Sequence, residues 1–149
     1  MANSTFSAPT DRAYDRDTHF WVKKDTTTGR LIVGIDALLL DTFGDLAYIQ
    51  LPDVGTPIRR GDAIGSLEAA KMTSEIIAPV SGILIGVNEA VLQDPMKVNQ
   101  DPYESGWLFA VDGTDWEDEQ RHLVHDPAEI ATWMQAEAER MNAQQNLDA

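Results

Sequence analysis

The chain contains no cysteine. That one absence excludes disulfides, thiol catalysis and cysteine-ligated metal sites, so any sulfur redox chemistry has to arrive on a cofactor. Histidine is almost as scarce. His122 and His125 stand three apart and could meet on a helix, but no third ligand lies nearby in an apolar setting, and both are expected to be solvated surface residues. Basic residues number 11 against 25 acids, a formal charge of −14. Such a surface repels nucleic-acid phosphates and anionic lipid, which removes both as partners. No run approaches the ~18 apolar residues of a membrane span. Residues 1–17 have no apolar signal core and carry three aspartates, unlike a transit peptide, so a cytoplasmic chain without membrane insertion is expected. There is no G-x-S-x-G and no histidine beside a candidate nucleophile, which leaves hydrolase chemistry unsupported.

What is present is an ordinary globular composition: 149 residues, 43% hydrophobic and 24% charged, enough for one domain with a buried core. Residues 1–17 are polar and read as a flexible N-terminal arm. Between residues 18 and 112, short apolar runs alternate with Gly, Pro and Asp turns. Strands are predicted at Phe20–Lys23, Leu31–Ile35, Leu46–Leu51, Ala63–Glu68, Glu75–Ala78, Ile83–Asn88 and Trp107–Val111, a spacing that indicates a mostly β sandwich or barrel. Asp36 can cap a short helix over Ala37–Phe43, with Gly44 ending it. Residues 113–149 form an acidic C-terminal segment. From residue 112 onward the chain holds ten acids and two arginines, a net −8. Asp126-Pro127-Ala128-Glu129 is a helix-start signature, and Ile130, Trp133, Met134 and Met141 recur near helical spacing. One helix from Pro127 to about Asn142 is predicted, its apolar stripe packed on the body, with Gln144–Ala149 frayed.

The body has a weak two-part rhythm: two apolar runs around a Pro/Gly loop, then two more around another Pro-containing loop. Ala69-Ala70-Lys71-Met72-Thr73 lies between the halves, where a hairpin would join them. Lys71 is the sole basic residue between Arg60 and Lys97. Ala69 and Ala70 precede it, and Glu68 and Glu75 flank it. A lone lysine on a tight exposed turn is what a modifying enzyme needs in order to acylate one lysine and no other. Acylation converts the ammonium to a neutral amide, taking the net charge to −15. The lysine stem then becomes part of a long tether with a high effective concentration at nearby active sites. On the turn alone, a solubilising hairpin lysine is the better explanation of Lys71; the neighbouring segments overturn it.

Gly65 through Gly82 (GSLEAAKMTSEIIAPVSG) resembles the modified-lysine segment of the biotinyl/lipoyl carrier domains, and more narrowly that of the glycine cleavage H-protein family. Supporting blocks follow in the family's order: Tyr14 through His19-Phe20-Trp21-Val22, Val33-Gly34-Ile35, Leu46–Gly55, Val87-Asn88-Glu89 and Val98–Leu108. The resemblance covers roughly residues 14–142. It implies a hybrid barrel-sandwich of two small sheets with short helices and a C-terminal helix, and lipoic acid in amide linkage on Lys71. It also implies a non-catalytic carrier whose cofactor and partner enzymes do the chemistry, and a monomer, since the hairpin must be exposed. Asn88, Asn99 and Tyr103 are expected to stabilise turns and the loop beside the lysine. Biotin carriers, the remote alternative as biotin carboxyl carrier, place methionine on both sides of the lysine. Here Met72 follows Lys71 but Ala70 precedes it, and the Val98-Asn99-Gln100-Asp101-Pro102-Tyr103 block and helical tail are H-protein features.

Three departures bear on the pathway. The family's His-Glu-Trp-Val reads His19-Phe20-Trp21-Val22. In the family that glutamate lies near the cleft where the loaded arm rests, positioned to pair with an amine cargo. Phe20 cannot neutralise an ammonium, and an unpaired buried charge is costly, although Glu75 offers a substitute acid. Glu68-Ala69-Ala70-Lys71 replaces the usual Glu-Ser-Val-Lys. Ile35-Asp36-Ala37-Leu38-Leu39-Leu40 departs from the common pattern after the third strand. These departures favour the H-protein-like lipoate-binding paralogue that serves a heterodisulfide-reductase-like complex in bacterial sulfur oxidation, whose thiol–disulfide chemistry suits a lipoyl arm. The alternative is the carrier of the aminomethyl group in glycine cleavage, with glycine decarboxylase, aminomethyltransferase and dihydrolipoamide dehydrogenase as partners. In either case a lipoate ligase or lipoyl-assembly enzyme must act on Lys71.

Overall fold

The computed structural model describes the backbone of residues 8–148 and the side chains of residues 8–143. Among the described residues, nine strands form two sheets. The larger takes β1 (Ala13–Tyr14), β2 (Phe20–Lys24), β3 (Leu31–Ile35), β9 (Phe109–Gly113), β8 (Gly82–Val87) and β5 (Pro57–Ile58), in that spatial order; the smaller takes β4 (Leu46–Gln50), β6 (Ala63–Ala69) and β7 (Thr73–Ile77). Every pairing is antiparallel. The two halves of the sequence rhythm separate accordingly: β4 and β6 pair in the small sheet, β8 and β9 in the large one. In β4 and β6 the paired Ile49 and Leu67 turn inward while the paired Tyr48 and Glu68 are exposed, and a register shift between Leu46 and Tyr48 interrupts the alternation. Side chains from both sheets meet in one core around Val33, Leu67, Ile76, Leu84 and Phe109.

Five α-helices are present among the described residues. Helix α1 (Ala37–Phe43) has the predicted bounds. The Asp36 carboxylate accepts the Leu39 N–H at 2.9 Å, and the Gly44 N–H closes the end on the Leu40 carbonyl. The predicted loop between the last two strands contains two short helices, α2 (Glu89–Gln93) and α3 (Met96–Gln100), and α4 (Trp116–Glu119) follows β9. These single-turn helices are below the length that periodicity resolves. Helix α5 runs from Pro127 to Asp148, past the predicted end at Asn142, because no Gly or Pro interrupts the run. The Asp126 carboxylate accepts the Glu129 N–H at 3.1 Å. The predicted stripe packs down: Ile130 and Met134 join Tyr14, Trp21 and Leu38 in a second core cluster, Trp133 and Met141 pack against it half-buried, and Ala138, outside the predicted stripe, is buried there too.

The predicted N-terminal arm needs correction. Residues 1–7 lie outside the described residues, but Arg12, Ala13, Tyr14 and Asp15 are buried, and Ala13–Tyr14 is an edge strand on β2. Tyr14 also exchanges backbone hydrogen bonds with Val124, and its hydroxyl donates to the Pro9 carbonyl at 2.6 Å. Two paired residues are too few to show a period-2 pattern; the large sheet and α5 bury them. No described helix is long and apolar enough to cross a membrane.

Candidate functional site

Lys71 is at the tip of the β6–β7 hairpin and is exposed. The turn is closed by the Ala69 N–H donating to the Met72 carbonyl at 2.9 Å. Two further backbone bonds seat the tip on the end of α1: Ala70 N–H donates to the Asp45 carbonyl at 2.9 Å, and Lys71 N–H to the Phe43 carbonyl at 3.1 Å. The lysine backbone is thus fixed while its ammonium makes one long hydrogen bond, 3.4 Å to the Asp41 carbonyl. Among the described residues it forms no ion pair. Gly44 forms the turn against which the tip rests. Its φ of 83° lies in the left-handed region, which a glycine enters freely, and a Cβ there would stand 3.4 Å from both Ala70 Cβ and Lys71 Cγ.

A cleft of about 560 Å³ opens beside the lysine. Ala37, Leu40 and Asp41 of α1 form one wall, Gly44 and Asp45 the turn below, Ala70 and Lys71 the hairpin, and Asn99 and Pro102 the far side. Asn99 braces the turn from both directions: its amide donates to the Gly44 carbonyl at 3.1 Å, and its side-chain oxygen accepts the Leu46 N–H at 3.0 Å. The Tyr103 hydroxyl accepts the Ala37 N–H at 2.9 Å, pinning the first turn of α1, and burial pushes its phenol up to about 12. Asn88 donates to the carbonyls of Ser105 at 2.9 Å and Trp107 at 2.8 Å, holding the loop that carries Tyr103; it does not line the cleft.

Two expectations for this cleft are corrected. Phe20 is 2% exposed and packs in the inter-sheet core rather than on the cleft wall. Glu75 is exposed on β7, across from Ser66, and also does not line the cleft. Its carboxylates are those of Asp41 and Asp45, which the sequence reading passed over. The predicted helix already put Asp41 one turn after Ala37 on the same face; what the sequence lacked was the docking of the hairpin onto that helix end. Glu68 is exposed between Tyr48 and Thr73 on the outer face of the small sheet, and Met72 is 43% exposed at the tip.

The histidines divide as follows. His122 and His125 are exposed. His19 is buried between two carboxylates, with Nδ1 2.6 Å from Asp36 and Nε2 2.8 Å from Glu137. Burial alone would lower its pKa, but the two carboxylates outweigh burial and raise it. Glu137, gripped by Arg140 and by His19, is held down to about 2. Among the described residues no group of three or more metal-ligating side chains is present.

Comparisons with known proteins point to one family. The glycine cleavage H-protein family model matches residues 12–137. The glycine cleavage system H protein of Beutenbergia cavernae is 43% identical over 106 residues, covering 71% of this chain and 83% of that one. Its counterpart in Listeria monocytogenes is 36% identical over 123 residues, covering 83% and 96%. The crystal structure of a glycine cleavage system H protein from Mycobacterium marinum superposes with a TM-score of 0.67 at 38% identity, covering 72% of this chain and 87% of that one. The chain therefore belongs to the glycine cleavage H-protein family, the non-catalytic lipoyl carriers.

Proposed function

We propose that Lys71 carries a lipoyl group in amide linkage and that the chain serves glycine cleavage, moving among glycine decarboxylase, aminomethyltransferase and dihydrolipoamide dehydrogenase. The observation that carries the reading is the isolated Lys71 ammonium on a rigid hairpin beside a cleft with two carboxylates. A bound lipoyl group supplies a disulfide–dithiol couple at the end of a flexible tether. The protein's part is positional. The seat of Ala70 and Lys71 on the Phe43 and Asp45 carbonyls fixes where the tether starts. Small Ala70 leaves the base of the stem free, and Asn99 keeps the cleft floor in place.

Asp41 and Asp45 suit an amine cargo, because a cation entering the cleft loses water and needs an opposite charge. One of the grounds for sulfur oxidation is the replacement of the cleft's glutamate by Phe20, and Phe20 is a core residue. The names of the relatives favour glycine cleavage as well. The test is glycine–bicarbonate exchange by the lipoylated chain with glycine decarboxylase. Efficient exchange, weakened by Asp41→Asn together with Asp45→Asn, supports the reading. Absence of exchange from a fully lipoylated chain would return the assignment to a heterodisulfide-reductase-like partner, whose carriers the Leu67–Lys71 segment resembles.

A further inference from the structure

His19 lies outside the cleft and is 1% exposed. Its backbone φ is 65°, a left-handed conformation uncommon for a residue with a Cβ. Both ring nitrogens face carboxylate oxygens. A carboxylate only accepts, so both nitrogens must donate, and only the imidazolium does that. Trp133 stacks on the ring with centroids 4.9 Å apart. The two carboxylates belong to different parts of the fold. Asp36 is the cap of α1, its other oxygen accepting the Leu39 N–H. Glu137 is on α5, where Arg140 holds it at 2.9 Å.

Helix α1 also touches α5 directly. Leu38 packs in the cluster of Ile130 and Met134, and the Thr42 hydroxyl donates to the Met141 sulfur at 3.6 Å. Another face of the same seven-residue helix lines the cleft, and its last carbonyls receive the Lys71 ammonium and amide. One short rigid element therefore connects the C-terminal helix to the lysine hairpin.

We propose that His19 and Glu137 are positioning residues for the lysine hairpin: the imidazolium latches α5 to the cap of α1, and α1 carries that restraint to the backbone seat of Lys71. The inference rests on reading Lys71 as the attachment site, and it gives the acidic C-terminal segment a role at the cleft it does not itself line. Breaking the latch frees α1 to shift, and the Phe43 and Asp45 carbonyls move with it.

The charged and titratable groups around His19 are Asp36 from α1, Glu137 and Arg140 from α5, Asp15 from the preceding turn, whose carbonyl accepts the His19 N–H, and Tyr14 against Trp133. Glu137 is held down to about 2, and burial raises Tyr14 above its ordinary value, so neither titrates where an imidazolium does. The test is amide 1H–15N NMR of the unmodified full chain across pH, with the His19 ring followed in the same samples. The amides of Ala37, Gly44 and Lys71 should shift with the His19 midpoint. Glu137→Gln should lower that midpoint, and the Gly44 and Lys71 transitions should follow it down. His19→Gln should abolish the shared transition; if that variant does not fold, Glu137→Gln carries the test alone. Gly44 and Lys71 amides that ignore the His19 midpoint, or that stay put while the ring's midpoint moves in Glu137→Gln, overturn the proposal. The chain in this experiment bears no lipoyl group, so failure of the attachment reading would appear separately, as an unmodified Lys71 in an intact mass.

Discussion

Asn99→Ala should loosen the lysine hairpin more than it destabilises the protein. The substitution removes two hydrogen bonds, 3.1 Å to the Gly44 carbonyl and 3.0 Å from the Leu46 N–H. At a net 0.5–1.5 kcal/mol each, the loss is about 1–3 kcal/mol, or about 2–4 °C in Tm for each kcal/mol in a domain of this size. The bonds hold the segment whose neighbouring Phe43 and Asp45 carbonyls seat Lys71 and Ala70. Asn88→Ala is the control: it also removes two hydrogen bonds, to Ser105 and Trp107, but away from the hairpin. Native-state hydrogen exchange reads the difference. The Ala70 and Lys71 amides should exchange faster in Asn99→Ala than in Asn88→Ala, after correction for each variant's global stability. Equal exchange in the two variants would refute the claim that Asn99 braces the site.

Further predictions concern the helix end, the core and the latch. Gly44→Ala should cost about 1 kcal/mol or more, because a Cβ is strained at φ 83°; denaturant unfolding measures it, and a neutral result would remove the backbone argument. Phe20→Glu, which restores the family's glutamate, should destabilise by at least about 3 kcal/mol, because the side chain is in the inter-sheet core. A stable Phe20→Glu variant with improved glycine–bicarbonate exchange would show that this position reaches the cleft after all. The latch sets a pH window. His19 has a raised folded pKa, so its contribution is full below the unfolded value of 6.5 and is lost as pH rises through the folded value. Glu137 has a depressed one, so its contribution is present above 4.5 and is lost as pH falls towards about 2. Urea unfolding should therefore show a wild-type excess over His19→Gln that is largest between these limits and shrinks on the alkaline side; a pH-independent difference would contradict the ionic latch.

Much of the fold was legible because its signals are local. The longer strands are five- to seven-residue segments bounded by Gly, Pro and Asp turns, α1 begins at an Asp cap and ends at a glycine, and α5 starts at Pro127 behind an Asp cap. Lys71 stood out for the same reason: it is a solitary cation in a segment of small and acidic residues. What was not legible depends on long-range contact. Ala13–Tyr14 is a strand only because β2 and Val124 pair with it. His19 meets partners 17 and 118 positions away, and no local pattern in His19-Phe20-Trp21 indicates either. Phe20 stands where the family has a glutamate, and only the packing around its strand shows that it faces the inter-sheet core. Asp41 and Asp45 became cleft residues once the hairpin tip was seen to rest on the end of α1.

Whether Lys71 is the attachment point of a lipoyl arm is decided by intact-mass spectrometry of the chain co-expressed with a lipoate ligase, with Lys71→Arg beside it. The expected result is a mass gain of one lipoyl group that peptide mapping assigns to Lys71, with Lys71→Arg folded and unmodified. No gain under conditions that lipoylate a control carrier, or a biotin-sized gain instead, would contradict it.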